Sequence, residues 1–126
     1  MKCPKCNAEF EIVSHAGIEV ERCSGCSGLW FDMLEKEDLV KIKGSEAIDI
    51  GSEQVGEMYD DMPDVSCPKC LVGMIPMVDK DQFHIKYESC PICYGAFFDA
   101  GEFRDLKQHT VLERFRAMFE ILRANL

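Results

Sequence analysis

The chain has 126 residues and a formal net charge of −9, with 14 basic and 23 acidic side chains, and 47% of its residues are hydrophobic. Such a field repels a phosphate backbone at long range, which disfavours non-specific nucleic-acid binding and leaves only a local basic patch as a route to it. No stretch approaches the roughly 20 apolar residues that a membrane span needs. The N-terminus runs straight into a Cys-x-x-Cys motif at Cys3 without an apolar leader, so a cytoplasmic location with reduced thiols is expected.

Cys3-Pro4-Lys5-Cys6 reads as a knuckle, a tight turn that brings two sulfurs to one ion, with Pro4 fixing one backbone angle. Ala8 to Ser14 then predicts a strand with Phe10 and Ile12 on one face, followed by a turn at His15-Ala16-Gly17. Ile18 to Arg22 returns, with Ile18 and Val20 alternating against Glu19 and Glu21. The hairpin delivers a second knuckle, Cys23 to Cys26, sixteen residues after the first, a spacing suited to a structural zinc site. Beyond it lie Gly28-Leu29-Trp30-Phe31 and then Asp32 with Glu35 three residues on, close to a capping box. A helix is expected from Met33 to about Lys43, with Leu34, Leu39, Val40 and Ile42 on its apolar side, Lys41 and Lys43 in its last turn, and Gly44 as its stop.

Residues 44–66 hold seven acidic groups, three glycines and no basic group, and read as an acidic linker or a partly ordered arm. Ile48, Ile50, Val55, Met58 and Tyr59 are more apolar than a free linker needs. The plan then repeats: knuckle Cys67 to Cys70, strand Gly73 to Val78 weakened by Pro76, turn Asp79 to Gln82, strand Phe83 to Tyr87, knuckle Cys90 to Cys93. Nineteen residues, not sixteen, separate the knuckles here. Asp99 and Glu102 again read as a cap for a helix that includes Phe103 and Leu106. In the tail, Val111, Leu112, Phe115, Met118, Phe119 and Leu122 form one stripe at helical spacing, opposite Glu113, Arg116, Glu120 and Arg123.

A shift of 67 positions superposes Cys23 on Cys90, Cys26 on Cys93, Gly28 on Gly95, Phe31 on Phe98, Asp32 on Asp99 and Glu35 on Glu102. The division that follows is a first zinc ribbon with its helix over 1–43, the arm over 44–66, a second ribbon over 67–107 and an amphipathic helix over 108–126. The fold class is a small metal-stabilised α+β: two tandem zinc ribbons, each of two Cys-x-x-Cys knuckles, a β-hairpin and a short α-helix. Modules of about 40 residues bury too little to hold a shape without help. All eight cysteines serve as metal ligands on this reading, Cys3, Cys6, Cys23 and Cys26 for one Zn2+ and Cys67, Cys70, Cys90 and Cys93 for a second. Iron in a rubredoxin-like site, or a redox-switched zinc thiolate, is the alternative for the same sulfurs.

The pattern CPxC, hairpin, CxxCxG, aromatic pair, Asp, then Glu resembles the bacterial family of TFIIB-type (transcription factor) zinc-finger domains. Here it is written CPKC with ERCSGCSGLWFDMLEKEDL, and CPKC with ESCPICYGAFFDAGEFRDL, over residues 3–39 and 67–106. The resemblance implies a zinc ribbon and one zinc per copy on the cysteines just named. Two departures stand out: Phe97 replaces Trp30 and Ile92 replaces Gly25 in the second copy.

Each site also has a plainer reading. Asp32 with Glu35 and Asp99 with Glu102 could be acid–base pairs, but capping already explains their spacing. Trp30, Phe31, Phe97 and Phe98 are read as small cores under the metals, not as exposed stacking platforms. His15, His84 and His109 sit at non-equivalent positions and are read as surface residues. A four-sulfur site leaves no open metal position, so no enzyme is expected. The expected partner is a protein or a second copy, engaged through the tail stripe. A nucleic-acid ribbon would instead need Lys2, Lys5, Arg22, Lys69 and Lys86 to converge beside one hairpin.

Overall fold

The structure is a computed structural model that describes residues 1–33, 35–60, 62–78, 85–107 and 123. The expected turn at 79–82, Phe83, His84, Leu34 and the tail stripe lie outside the described residues. Strand β1 (Phe10–His15) pairs with β2 (Ile18–Cys23) in the register Phe10↔Cys23 to His15↔Ile18. The tight turn between them puts both Ala16 and Gly17 at positive φ, 53° and 81°, the geometry that follows the twist of a hairpin. Ile12 is 70% exposed, while Phe10 packs beside the cysteines and Val13 packs against the core.

Three-residue strands follow each second knuckle: β3 (Leu29–Phe31) and β6 (Ala96–Phe98). β3 pairs with β2, and β6 with β5 (Lys86–Ser89), which in turn pairs with β4 (Ile75–Val78). The two halves then join, because β3 pairs antiparallel with β6 through Leu29↔Phe98, Trp30↔Phe97 and Phe31↔Ala96. Among the described residues the result is a single six-stranded sheet in the order β1-β2-β3-β6-β5-β4. The repeat maps Glu21↔Trp30 onto Glu88↔Phe97, and Arg22↔Leu29 onto Ser89↔Ala96. A local two-fold axis therefore passes through the Trp30↔Phe97 pair.

Both central strands are buried on both faces, which is why they read as unbroken apolar runs and not as alternating ones. On one face Leu29, Phe31, Ala96 and Phe98 meet Leu39 of α1 (Glu35–Val40) and Phe103 and Leu106 of α3 (102–107). The Phe31 and Phe98 rings meet edge to face at 5.5 Å, and Tyr87 stacks on Phe98 at 4.7 Å. On the other face Trp30 and Phe97 lie among the cysteines, covered by Val55 and Tyr59 of α2 (Glu53–Asp60).

Helix α1 ends at Val40, before the expected Lys43. The Lys41 and Ile42 amides turn to the carbonyls of Asp38 and Leu39, and the buried Ser45 hydroxyl donates to the Leu39 carbonyl at 2.5 Å. These contacts tighten the last turn and close the helix early.

Residues 44–66 form a brace across both ribbons. A 3-10 turn (Ser45–Ile48) brings Ile48 into the core and flanks β1, and α2 follows. The buried Asp49 carboxylate accepts from the Gly101 and Arg104 amides at 3.0 and 2.9 Å, capping α3 from 52 residues away. In return the Lys107 ammonium donates to the Val40 and Ile42 carbonyls at 3.2 and 2.6 Å, closing the end of α1.

Candidate metal centres

Each knuckle is held by the same two backbone bonds. The first cysteine's amide donates to the carbonyl five residues on: Cys3 to Ala8, Cys23 to Gly28 and Cys67 to Val72 at 2.8 Å, Cys90 to Gly95 at 2.9 Å. Its carbonyl accepts from the amide four residues on, namely Asn7, Ser27, Leu71 or Tyr94, at 2.9–3.1 Å. Those four residues all adopt the left-handed conformation, with φ between 60° and 66°. The turn points further amides at sulfur: Gly25 at Cys23, Cys70 at Cys67 and Ile92 at Cys90, at 3.3–3.4 Å. N–H donors at a sulfur stabilise it as thiolate.

The hairpins bring the knuckles face to face. The sulfurs of Cys3, Cys6, Cys23 and Cys26 lie within 4.8 Å of one another, as do those of Cys67, Cys70, Cys90 and Cys93. Cys3 and Cys26 are 3.8 Å apart, as are Cys67 and Cys93, and Cys6 and Cys23 are 3.2 Å apart. None of the eight is in a disulfide. Tetrahedral sulfur ligands at about 2.3 Å from a metal stand roughly 3.8 Å from each other. The donor set therefore fits a metal ion in each cluster.

The electrostatics agree with that fit. A hydrogen bond from the Cys26 thiol holds Cys3 down at about 5, and the same contact pushes Cys26 up. Burial pushes Cys23 to about 11 and Cys70 to about 12. Burial works against ionisation of Cys90 too, but the Cys93 and Ile92 amides outweigh it and hold Cys90 at about 7. Four sulfurs at this spacing do not all ionise by themselves. A bound divalent cation is what lets them.

Around the clusters each ribbon completes the other. Lys5, in the first knuckle, has a fully buried side chain whose ammonium bonds Glu88 and Asp99 of the second ribbon at 2.7 Å each. Its third contact is the Tyr59 carbonyl at the end of α2, 2.8 Å away. Burial opposes its charge, yet Asp99 and Glu88 together raise its pKa above the usual lysine value. The symmetric Lys69 pairs with Asp32 of the first ribbon, at a more open site. Besides the two sulfur clusters, Glu21, Asp32 and Glu35 gather their carboxylates within 4.8 Å, with the Lys69 ammonium beside them. Glu35 also accepts from the Asp32 amide at 2.6 Å, the reciprocal half of the expected capping box.

The glycines after the knuckles follow the same exchange. A Cβ on Gly28 would stand 2.3 Å from the Phe97 ring, and one on Gly95 would stand 2.2 Å from Trp30. Of the four aromatics expected under the metals, Trp30 and Phe97 lie among the cysteines, whereas Phe31 and Phe98 pack on the opposite face of the sheet against the helices, because successive strand residues point to opposite faces. The arrangement is also crossed: Trp30 presses on the second ribbon's knuckle and Phe97 on the first's. Sequence reasoning missed the Lys5 and Lys69 sockets and the Asp49 cap. The first two left a trace in the repeat, where each copy has Lys in its CPKC, Glu before its second knuckle and Asp after its aromatic pair; Asp49 left none.

A six-stranded antiparallel sheet with four knuckles converging as two four-cysteine clusters, and short helices against it, is a tandem zinc ribbon, a small α+β zinc-binding fold. The family model for the transcription factor zinc-finger, TFIIB-type, matches residues 2–42 and again 66–109, and the chain belongs to that family in two tandem copies. Neither the curated proteins nor the solved structures compared with the chain gave a significant match.

Proposed function

We propose that the protein is a non-enzymatic interaction module that holds two zinc ions on Cys3, Cys6, Cys23 and Cys26 and on Cys67, Cys70, Cys90 and Cys93, and that its partner is a protein. The observation that carries this reading is the convergence of four sulfurs, all from the protein, within 4.8 Å in each cluster. A closed four-sulfur set gives a metal no open position for water or substrate, and its contribution is to folding. A reducing, cytoplasmic compartment would keep all eight thiols available.

The charges speak against nucleic acid. Of the five cations that would have to converge, Lys5 is spent on Glu88 and Asp99, Lys69 on Asp32, and Arg22 on Glu11 and the Ile48 carbonyl. The tail stripe, outside the described residues, is proposed as a route to self-association. Light scattering should show a smaller species for the Phe115→Glu, Phe119→Glu variant.

Elemental analysis of the purified chain should find two zinc ions and no visible absorption band. Cys23→Ser or Cys90→Ser should lower the count to about one. A coloured iron–thiolate protein would reassign the sites to electron transfer, and fewer than two metals would overturn the reading. Binding to random-sequence DNA or RNA that falls steeply with salt would move the function to nucleic acid.

A further inference from the structure

We infer that the two knuckles of the second ribbon form a docking surface for a protein segment carrying aliphatic or aromatic side chains beside lysine or arginine. The inference deepens the protein-interaction reading above and rests on it. The duplication supplies an internal control. At the left-handed fifth position of each knuckle, the first ribbon places Asn7 and Ser27, with φ of 66° and 62°. The second places Leu71 and Tyr94 there, both at 60°. Asparagine tolerates that conformation, whereas leucine and tyrosine are strained in it. Burial does not offset the strain, for Leu71 is 80% and Tyr94 64% exposed.

Two neighbours change in the same direction. Gly25 of the first ribbon has no room for a side chain, since a Cβ would stand 2.9 Å from that of Ala8 and 3.1 Å from the Cys6 sulfur. The second ribbon has Ile92 at that place, 64% exposed, and Val72 in place of Ala8, 38% exposed. Four larger, exposed apolar side chains thus occupy knuckle positions of the second ribbon where the first has Asn, Ala, Gly and Ser. Folding gains little from apolar groups left in water, two of them on a disfavoured backbone. Contact with another molecule is what uses them.

Charge selects the occupant. Four thiolates about one divalent ion keep roughly two negative charges, and in this cluster Cys70 and Cys93 are only partly buried. N–H donors of lysine or arginine are the complement to such a cluster. A second copy of the chain is a poor occupant: it carries the same cluster and a net charge of −9. Four side chains also fall short of the roughly 800 Å² per partner of a stable interface. A short segment of a protein fits better.

The test replaces three residues by those of the first ribbon, Leu71→Asn, Ile92→Gly and Tyr94→Ser, which the knuckle fold already accommodates once in this chain. Full-length, zinc-loaded wild type and triple variant are each used to select from a random 12-residue peptide library. Both should hold two metals and give the same circular dichroism. Wild type should enrich peptides that combine Leu, Ile, Met or Phe with Lys or Arg, and these should bind the variant at least tenfold more weakly. Equal binding to a folded variant would overturn the surface, and enriched peptides without basic residues would overturn the stated partner chemistry. No enrichment by wild type would instead count against the protein-interaction reading itself. Should the triple variant lose metal, Tyr94→Ser alone must still weaken binding at least threefold, or the surface is wrong.

Discussion

Lys5 and Lys69 occupy the same place in the repeat and make the same kind of contact, but at different depths. The Lys5 side chain has no exposed surface and faces two carboxylates that are themselves nearly covered, at 10% and 2% exposure. Lys69 and Asp32 are each about two-fifths exposed, at 41% and 43%. Removing one member of a buried charged pair takes a short, desolvated ion pair from the interior, which costs about 3–5 kcal/mol. An open pair contributes at most about 1 kcal/mol. Lys5→Met should therefore lower the thermal midpoint of the metal-loaded protein sharply, and Lys69→Met should leave it nearly unchanged. Equal effects would mean that the ribbons do not rely on the buried socket. The spacing of the lysines was legible in the two CPKC motifs. That each reaches into the opposite ribbon was not, because nothing in a linear repeat says which copy a side chain turns to.

Helix α3 shows the same limit at the scale of elements. Asp99 and Glu102 marked its start in the sequence, and the Glu102 amide does bond the Asp99 carbonyl at 3.1 Å. A side-chain cap comes from Asp49, in a segment whose acidity and glycines resembled a linker. Asp49→Ala should cost about 1–2 kcal/mol, since a cap and two buried amides lose their acceptor. Burial raises the Asp49 pKa, partly opposed by the Gly101 and Arg104 amides and the Arg104 charge. A carboxyl whose folded pKa exceeds its unfolded value of about 3.9 takes up protons more readily when folded. Its contribution therefore becomes more favourable as pH falls through that window. Measured by denaturant titration, Asp49→Asn should lose ground to wild type as the pH is lowered, and a carbon-13 carboxyl titration of Asp49 should find its midpoint above about 3.9.

For the molecule as a whole, the β3–β6 seam decides what counts as a folding unit. Trp30 and Phe97 are fully buried and each fills the space above the other ribbon's glycine. The Lys5 socket, the Asp49 cap and the Lys107 contacts with Val40 and Ile42 also cross between the halves. Separated ribbons would expose the seam aromatics and an unpaired strand edge. We expect fragments 1–66 and 67–126, each loaded with metal, to give poorly dispersed amide spectra alone and a native-like spectrum when mixed one to one. Two independently well-folded fragments would show that the ribbons are autonomous.

The two four-cysteine sets, hairpins, helix starts and the duplication could all be read from the chain, because each rests on residues close in sequence: a sulfur pair three apart, an alternation of period two, a cap and its glutamate. Merging of the two ribbons into one sheet, the crossed aromatics and the bracing role of residues 44–66 depend on which surfaces meet after folding. Those choices follow from shape and charge complementarity between segments far apart in the chain, and local pattern carries no record of them.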